Sequence, residues 1–470
     1  MSTIWPLRFR EAGEHFVFSD EAGGWFFGDG QFLERYAHDA LNDRDLDHLA
    51  SAGHAFERPG DLAHSSFLRR WARRHAGPTK SLGYLILVPT LRCNLACDYC
   101  QVSRAAENAK GFDWSDQTLS QVLTFIDAID RDDIKIEFQG GEPLLRLDLL
   151  TAVRDHCRKK FAKCTFVVCS NLQVMDEARW TFFDAADTFL STSIDGDPAT
   201  QTRQRTHDAS QTGQFFENAK GFLDRFGADR ISALPTIDMH NPVAPGALLD
   251  AYAAFGFQSI YLRPVNQQGF ARRKAAPAGE GRIWANYHRT VVEAMIELNY
   301  SAGTRHEEFY LTHAIRRVLR SGLDSHVDLR NPALVGDGYL VVDYDGILYP
   351  SDEARMMSRV GQIDLSIGTL AEGIDSEKVA AINAWSFNDL DADCQHCAYQ
   401  PFCGTDVIDD ISRYGRVDVP RPETWFCQRH LSLFDLVFEL LGSEAPKVRH
   451  SLKQWAGAEL LPEYLGSVHR

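Results

Sequence analysis

The chain has 470 residues, 44% apolar, 24% charged and 11% aromatic, a globular composition sufficient for about three domains at roughly 150 residues each. Its 49 Lys and Arg face 65 Asp and Glu, a formal charge of −16, which argues against a protein whose main task is gripping a phosphate backbone. No apolar stretch approaches the ~18 residues of a membrane span, and MSTIWPLRFREAGEH lacks the pattern of a secretory signal, so a cytoplasmic protein without a membrane partner is expected.

Residues 1–80 read as a small leading module. Phe16-Val17-Phe18 and Trp25-Phe26-Phe27 flank Glu21-Ala22-Gly23-Gly24, a hairpin signal. A helical stretch follows from Leu33 to Leu41, and the basic RRWARRHAG at 69–77 reads as a solvated helix face, with a peptide or domain contact as the other reading. Across 81–300 strands and helices alternate. The strand candidates are Tyr84–Pro89, Ile134–Gln139, Thr165–Cys169, Phe189–Ile194, Ile231–Asp238 and Ile260–Pro264. The clearest helix is 116–130, behind Ser115 as N-cap. Six such units predict a parallel sheet with helices outside, either an open barrel or a doubly wound sheet, with function at the C-terminal strand ends. The alternation then stops. A helix over 306–321, a hairpin in YLVVDYDGILYP and helices at 430–443 and 446–456 are expected, dividing the rest into 301–435 and a helical tail, 436–470.

Ten cysteines fall at 93, 97, 100, 157, 164, 169, 394, 397, 403 and 427. Clusters of this kind in a large cytosolic chain point to metal or catalysis. Cys93, Cys97 and Cys100 follow the first strand of the alternating region as Cys-x3-Cys-x2-Cys in TLRCNLACDYCQVS. Three thiolates on one loop hold three irons of a cubane and leave the fourth open. Zinc would need a fourth ligand, and no Cys or His lies within the next few positions. Cys157, Cys164 and Cys169 read as buried thiols of one βα unit.

This loop resembles that of the radical S-adenosylmethionine (SAM) enzymes, and the resemblance covers about 84–270. It implies a [4Fe–4S] cluster whose open iron chelates the methionine group of SAM, and reductive release of a 5′-deoxyadenosyl radical. Tyr99 matches the aromatic residue beside the adenine. Gly140, Gly141, Glu142 and Pro143 match the GGEP motif at the methionine amino group, where glycines admit backbone and Glu142 supplies an anion. Ser170 and Asn171 match a turn near the cofactor, with Leu172 where a glycine is usual. Ser193, Asp195 and Gly196, with Arg205, match an SxDG…R arrangement in which Ser193 and Arg205 hold ribose and carboxylate. Leu262 would pack against adenine, with plain core as the other reading.

Cys394, Cys397, Cys403 and Cys427 supply four further thiolates. On spacing alone a zinc site competes evenly. Following a hairpin, the set resembles the C-terminal SPASM extension of peptide-modifying members, which implies an auxiliary [4Fe–4S] cluster. The first auxiliary cluster's ligands are absent: no cysteine lies between 170 and 393, Ser351 stands where GxLYPC would place one, and Asp406 and Val407 follow Cys403 instead of another. Their loss is expected to widen a space where a peptide enters. Asp352 occupies the position of the substrate base in sulfatase-maturating relatives; a solvated acid is the alternative. Glu353 and Arg355 read as a local pair.

The strings CDYCQVSR, DYDGILYPSDEARM and CAYQPFCGTD resemble the His-Xaa-Ser-system radical SAM maturases. The implied fold is a partial (β/α)6 TIM-like barrel, 81–300, with a partial SPASM-like domain, 301–435, and a winged-helix-type precursor-recognition module, 1–80, offering an edge strand to a peptide. The implied activity is hydrogen abstraction from a ribosomally synthesised precursor peptide, ending in an oxidative side-chain crosslink (a cyclophane or a C–C or C–heteroatom bond). Epimerisation, hydroxylation and sulfatase-maturase-like oxidation are alternatives. RNA- or small-molecule-modifying radical SAM chemistry and a non-enzymatic metal protein are competing readings; the charge disfavours RNA. The expected electron donor is of flavodoxin or ferredoxin type, and the expected assembly a monomer or weak dimer.

Overall fold

The computed structural model describes residues 3–75, 82–320, 334–336 and 338–457. The end of the basic stretch at 76–77, part of the 301–435 region (321–333 and 337) and the tail beyond 457 lie outside the described residues.

The leading module is a three-stranded antiparallel sheet followed by three helices. Its strands are β1 (Arg8–Ala12), β2 (His15–Ser19) and β3 (Trp25–Gly28), in that spatial order. The hairpin is β2–β3; β1 was not expected, because its charged RFREA hides the apolar alternation. The helices are α1 (Gly30–Ala37), α2 (Asp43–Ser51) and α3 (Leu62–His75). Asp29 caps α1 by accepting from Phe32 N–H, and Asn42 with Asp45 forms a capping box on α2. Phe18, Phe26, Phe32 and Leu49 form the module's own core.

The central region alternates β4 (Tyr84–Thr90), α4 (Asp116–Asp127), β5 (Asp133–Gly140), α5 (Leu147–Lys160), β6 (Lys163–Cys169), α6 (Glu177–Phe182), β7 (Thr188–Thr192), α7 (Ala209–Phe226) and β8 (Ile231–Ala233). The five strands are parallel, in the order β8-β7-β6-β5-β4. Ser115 caps α4 as expected. Leu85 and Leu87, Ile136 and Phe138, and Phe166 and Val168 face the helices and fill the main core.

The fifth and sixth strand candidates are each split. Residues 231–238 give Ile231–Ala233 and Thr236–Ile237, and 260–264 gives Ser259–Ile260 and Arg263–Pro264. Pro235 sits in the first break, since proline has no N–H for the ladder; the second falls at Tyr261-Leu262, where Leu262 N–H donates to Glu308 Oε1 at 3.1 Å instead of to a strand. Thr236–Ile237 pairs in parallel with Arg263–Pro264 and carries the barrel wall onward.

Next come α8 (Pro245–Ala253), α9 (Glu280–Ala302) and α10 (Phe309–Leu319). The expected hairpin is β9 (Tyr339–Val342) with β10 (Ile347–Tyr349). It is not a separate unit: β9 runs parallel to β4, pairing Tyr339 with Tyr84, and extends the main sheet on that side. Then follow α11 (Asp352–Arg359), α12 (Val407–Tyr414), α13 (Trp425–Gly442) and α14 (Pro446–Ala456).

A second core joins the leading module to the C-terminal helices. Val17 and Phe27 pack in one cluster with Ile296, Leu311, Phe402, Phe434 and Leu452. Arg74, buried on α3, donates to Asp389 at 2.9 Å, and His75 lies 3.0 Å from the same carboxylate. Burial works against the Asp389 charge, but these partners hold its pKa down to about 2. The basic stretch is therefore partly a domain contact rather than wholly a solvated face.

Candidate active site

The cysteine loop after β4 is held from several sides. Arg92 donates to Asp113 at 2.8 Å, Cys100 N–H donates to Cys97 O at 3.2 Å, and Phe270 N–H donates to Cys100 O at 2.9 Å. Gly269 lets that second segment approach: at its φ of +55°, a Cβ would lie 1.7 Å from Gln101 O. Burial pushes the Cys93 and Cys97 thiols up to about 12 and about 11, so metal binding there must displace protons.

Cys93, Cys97 and Cys100 line one cavity of about 1000 Å³, together with Tyr99, Gly140, Gly141, Ser170, Asn171, Ser193 and Arg205. At Gly140 and Gly141 a Cβ would lie 2.2 Å from Thr90 O and 2.2 Å from Arg92 O respectively. Glycine is therefore required where the end of β5 packs against the backbone that leads into the cysteine loop.

Arg205 sits on a π-helical turn, Thr202–Thr206, that ends on His207 at φ 58°. Its Nε–H donates to Asp195 Oδ2 at 2.8 Å, its guanidinium lies 5.2 Å from the Tyr99 ring centroid, and Tyr99 OH bonds the same carboxylate. Burial opposes the Arg205 cation, and Asp195, Tyr99 and Cys97 more than offset it.

Three expected contacts lie elsewhere. Glu142 is 1% exposed and off the cavity wall. Its oxygens accept from Leu144 N–H at 3.1 Å and Asn171 N–H at 2.8 Å, fixing the Ser170-Asn171 turn. Burial raises its pKa to about 7. Asp195 is fully buried behind the wall. Leu262 is in the main core, whereas its neighbours Tyr261 and Arg263 line the cavity, as strand alternation requires. Leu172, at the usual glycine position, does adopt a left-handed φ of 57°. That strain, on the order of 1–3 kcal/mol, must be offset by its complete burial.

The opposite wall comes from the C-terminal region. Ser351, Asp352 and Glu353 line it, with Thr405, Asp406, Trp425 and Phe426. Ser351 caps α11 by accepting from Ala354 N–H at 3.1 Å. The pair expected between Glu353 and Arg355 is not formed. Arg355, wholly buried, donates to Asp352 Oδ1 at 2.7 Å and lies 3.7 Å from Asp343, while Glu353 reaches Arg263 at 4.0 Å. The i,i+3 spacing places Asp352, not Glu353, over Arg355.

Sequence reasoning missed the inner face of the barrel. Lys135, Glu137 and Gln139 on β5 line the cavity with Tyr84 and Cys169. Tyr84 OH donates to Glu137 Oε2 at 2.6 Å, and Cys169 Sγ lies 3.4 Å from Glu137 Oε1. The strict alternation of DIKIEFQG carried that signal. Of the three thiols read as buried, Cys157 is in the main core, Cys164 is half-buried and Cys169 opens on the cavity.

Cys394, Cys397, Cys403 and Cys427 gather behind this wall. Asp391 accepts from Cys394 N–H at 3.1 Å and Thr424 from Cys427 N–H at 3.2 Å, fixing two of the four. Burial raises all four thiols, and neighbouring thiols of the set raise Cys394, Cys403 and Cys427 further. Phe426 and Thr405 bring this set next to the cavity wall. Among the described residues no three His, Cys, Asp or Glu converge on a single ion position. An iron–sulfur cluster asks for no such convergence, since its thiolates bind different irons. All-thiolate donors at or next to the cavity fit such clusters at both sets.

Residues 87–242 match the radical SAM superfamily. An uncharacterised protein of Methanocaldococcus jannaschii is 32% identical over 115 residues, 24% of this chain; the chain spans 38% of the length of this curated relative. Native anSMEcpe with bound AdoMet superposes with a TM-score of 0.62 at 16% identity, covering 76% of this chain and 97% of that one. SuiB of Streptococcus suis bound to S-adenosylmethionine gives 0.53 at 13% identity, covering 89% and 100%, and its complex with the precursor peptide SuiA gives 0.52 at 14%, covering 88% and 97%. A radical SAM domain implies a [4Fe–4S] cluster and S-adenosylmethionine. The chain therefore carries a radical SAM domain, residues 87–242, within the fold of radical SAM enzymes that have C-terminal extensions.

Proposed function

We propose that this chain is a radical SAM enzyme that modifies a ribosomally made precursor peptide, most consistently by an oxidative side-chain crosslink of the kind made in His-Xaa-Ser systems. The observation that carries the reading is the cavity of about 1000 Å³, at the upper end of the ~300–1,000 Å³ that small-molecule sites occupy. It has room for a peptide segment beside a bound cofactor. Basic and acidic side chains line it in near-equal number, without the basic stripe of a nucleic-acid site.

Cys93, Cys97 and Cys100 would hold the first cluster, with Gly140, Gly141, Ser193, Arg205 and Tyr99 around S-adenosylmethionine. Cys394, Cys397, Cys403 and Cys427 would hold the auxiliary cluster. Once loaded, the first cluster and S-adenosylmethionine supply hydrogen-atom abstraction from an unactivated carbon. The paired glycines let the end of β5 pack against the cysteine loop, and the buried Arg205–Asp195 pair presents a fixed cation to a carboxylate. Arg355 orients Asp352, whose second oxygen takes the proton released on oxidative coupling. The leading module serves as precursor-recognition element. Support comes from SuiB, captured with SuiA, and from anSMEcpe, captured with the Cp18Cys peptide.

A redox-neutral epimerisation is favoured by one observation, the Cys169 thiol on the cavity, a hydrogen-atom source within the site. Mass spectrometry of a co-expressed peptide encoded beside this gene separates the readings. Loss of two hydrogens indicates crosslinking, unchanged mass with altered chirality epimerisation, and gain of one oxygen hydroxylation. A peptide unchanged in mass and chirality would count against the proposal.

A further inference from the structure

The C-terminal cysteine set is not built by its own domain alone. On β1, Arg8, Arg10 and Ala12 share the face turned to the C-terminal helices, as a period of two requires, and Ala12 lies in the shared core. Arg8 Nε–H donates to Gln395 O at 2.5 Å, and Ser19 Oγ on β2 donates to Ala398 O at 2.6 Å. These two anchors bracket Cys397. Arg10 donates through Nε and Nη2 to Asp435 at 2.6 and 2.9 Å and lies 5.6 Å from the Tyr399 ring centroid.

Arg8 gives Nη2 to Glu21 at 3.3 Å, while its Nη1 is buried without a hydrogen-bond partner among the described residues. A buried guanidinium N–H left unpaired is costly, and a sulfur of the neighbouring site would satisfy it. Both arginine cations lie within electrostatic reach of Cys397.

We propose that Arg8 and Arg10 set the reduction potential of the iron–sulfur cluster at Cys394, Cys397, Cys403 and Cys427, making the leading module part of that redox site. This rests on reading the four cysteines as cluster ligands. Uptake of one electron from an external reductant adds negative charge to the cluster and breaks no bond in the protein. Nearby cations and N–H donors stabilise that reduced form more than the oxidised one, which raises the potential. The element proposed to grip the peptide and the proposed electron acceptor are thereby joined through one strand.

The test uses the full chain with Cys93, Cys97 and Cys100 replaced by Ala, so that only the auxiliary cluster carries an EPR signal. It is reconstituted with iron and sulfide and titrated with dithionite. R8Q and R10Q are expected to shift the midpoint to more negative potential, with R8K close to the parent because it keeps the charge. Midpoints equal to the parent's in R8Q and R10Q, at equal iron content, would overturn the proposal; if R8Q holds no iron, R10Q decides by the same reading. A parent that binds zinc or no iron overturns the ligand reading instead, a distinct outcome.

Discussion

Arg205 and Asp195 form a buried ion pair at 2.8 Å, with the carboxylate fully buried and the arginine side chain 14% exposed toward the cavity. One partner lies behind the wall and the other on it, so the pair fixes a cation on the cavity lining. Asp195→Ala leaves Arg205 unpaired and is expected to cost about 3–5 kcal/mol of stability, read by urea denaturation. Arg205→Lys keeps the charge but loses the planar fork. S-adenosylmethionine affinity in the reconstituted protein should then fall about tenfold, some 1.4 kcal/mol. Unchanged affinity in equilibrium dialysis would remove Arg205 from the cofactor site.

Glu142 adds a pH dependence. Burial raises its folded pKa to about 7 from the ordinary value of 4.5, so the folded state holds that proton more tightly than the unfolded chain. Its contribution to stability is fully present below the unfolded value and is lost as pH rises through about 7. Glu142→Gln cannot titrate and, with one acceptor oxygen, strands one of two backbone amides, at a cost of about 1–3 kcal/mol. Denaturation at about pH 5 and about pH 8 should show a smaller difference for the variant than for the wild type. An equal difference would mean that Glu142 does not titrate there.

The two cysteine sets should separate functionally. Cys97→Ala is expected to abolish reductive cleavage of S-adenosylmethionine, whereas Cys397→Ala should retain part of that cleavage and lose peptide product. Chromatography of 5′-deoxyadenosine beside peptide mass spectrometry checks both. Product formation by Cys397→Ala at the wild-type rate would exclude a redox role for the second set.

Asp352 is the proposed proton acceptor. Asp352→Asn is expected to leave S-adenosylmethionine cleavage intact and to lower product formation on the order of 10²-fold. Because Arg355 would keep an acceptor but lose the charge of its 2.7 Å partner, a thermal melt must accompany the assay. Full product yield from a folded variant would return Asp352 to a structural part.

Much of the site was legible because its chemistry depends on covalent spacing. Cys-x3-Cys-x2-Cys, the paired glycines and the alternation of strands are properties of the chain itself. Glu142 and Leu262 lie off the cavity lining, because a residue's facing depends on backbone details such as the break at Tyr261-Leu262. The π-helical turn that aims Arg205 has no signature in TRQRT. The contacts of Arg8 with Gln395 and Arg74 with Asp389 span more than 300 residues, and nothing local in either partner announces them. The inner row Lys135, Glu137, Gln139 was readable from its period of two, and only the apolar half of that pattern had been used.

The most direct measurement is anaerobic reconstitution of the wild-type chain, followed by reduction with dithionite in the presence of S-adenosylmethionine. Iron content and 5′-deoxyadenosine are both quantified. The radical SAM reading predicts about eight irons per chain, about four at each cysteine set, and formation of 5′-deoxyadenosine. A chain that binds zinc, or that loads iron yet releases no 5′-deoxyadenosine, would contradict it.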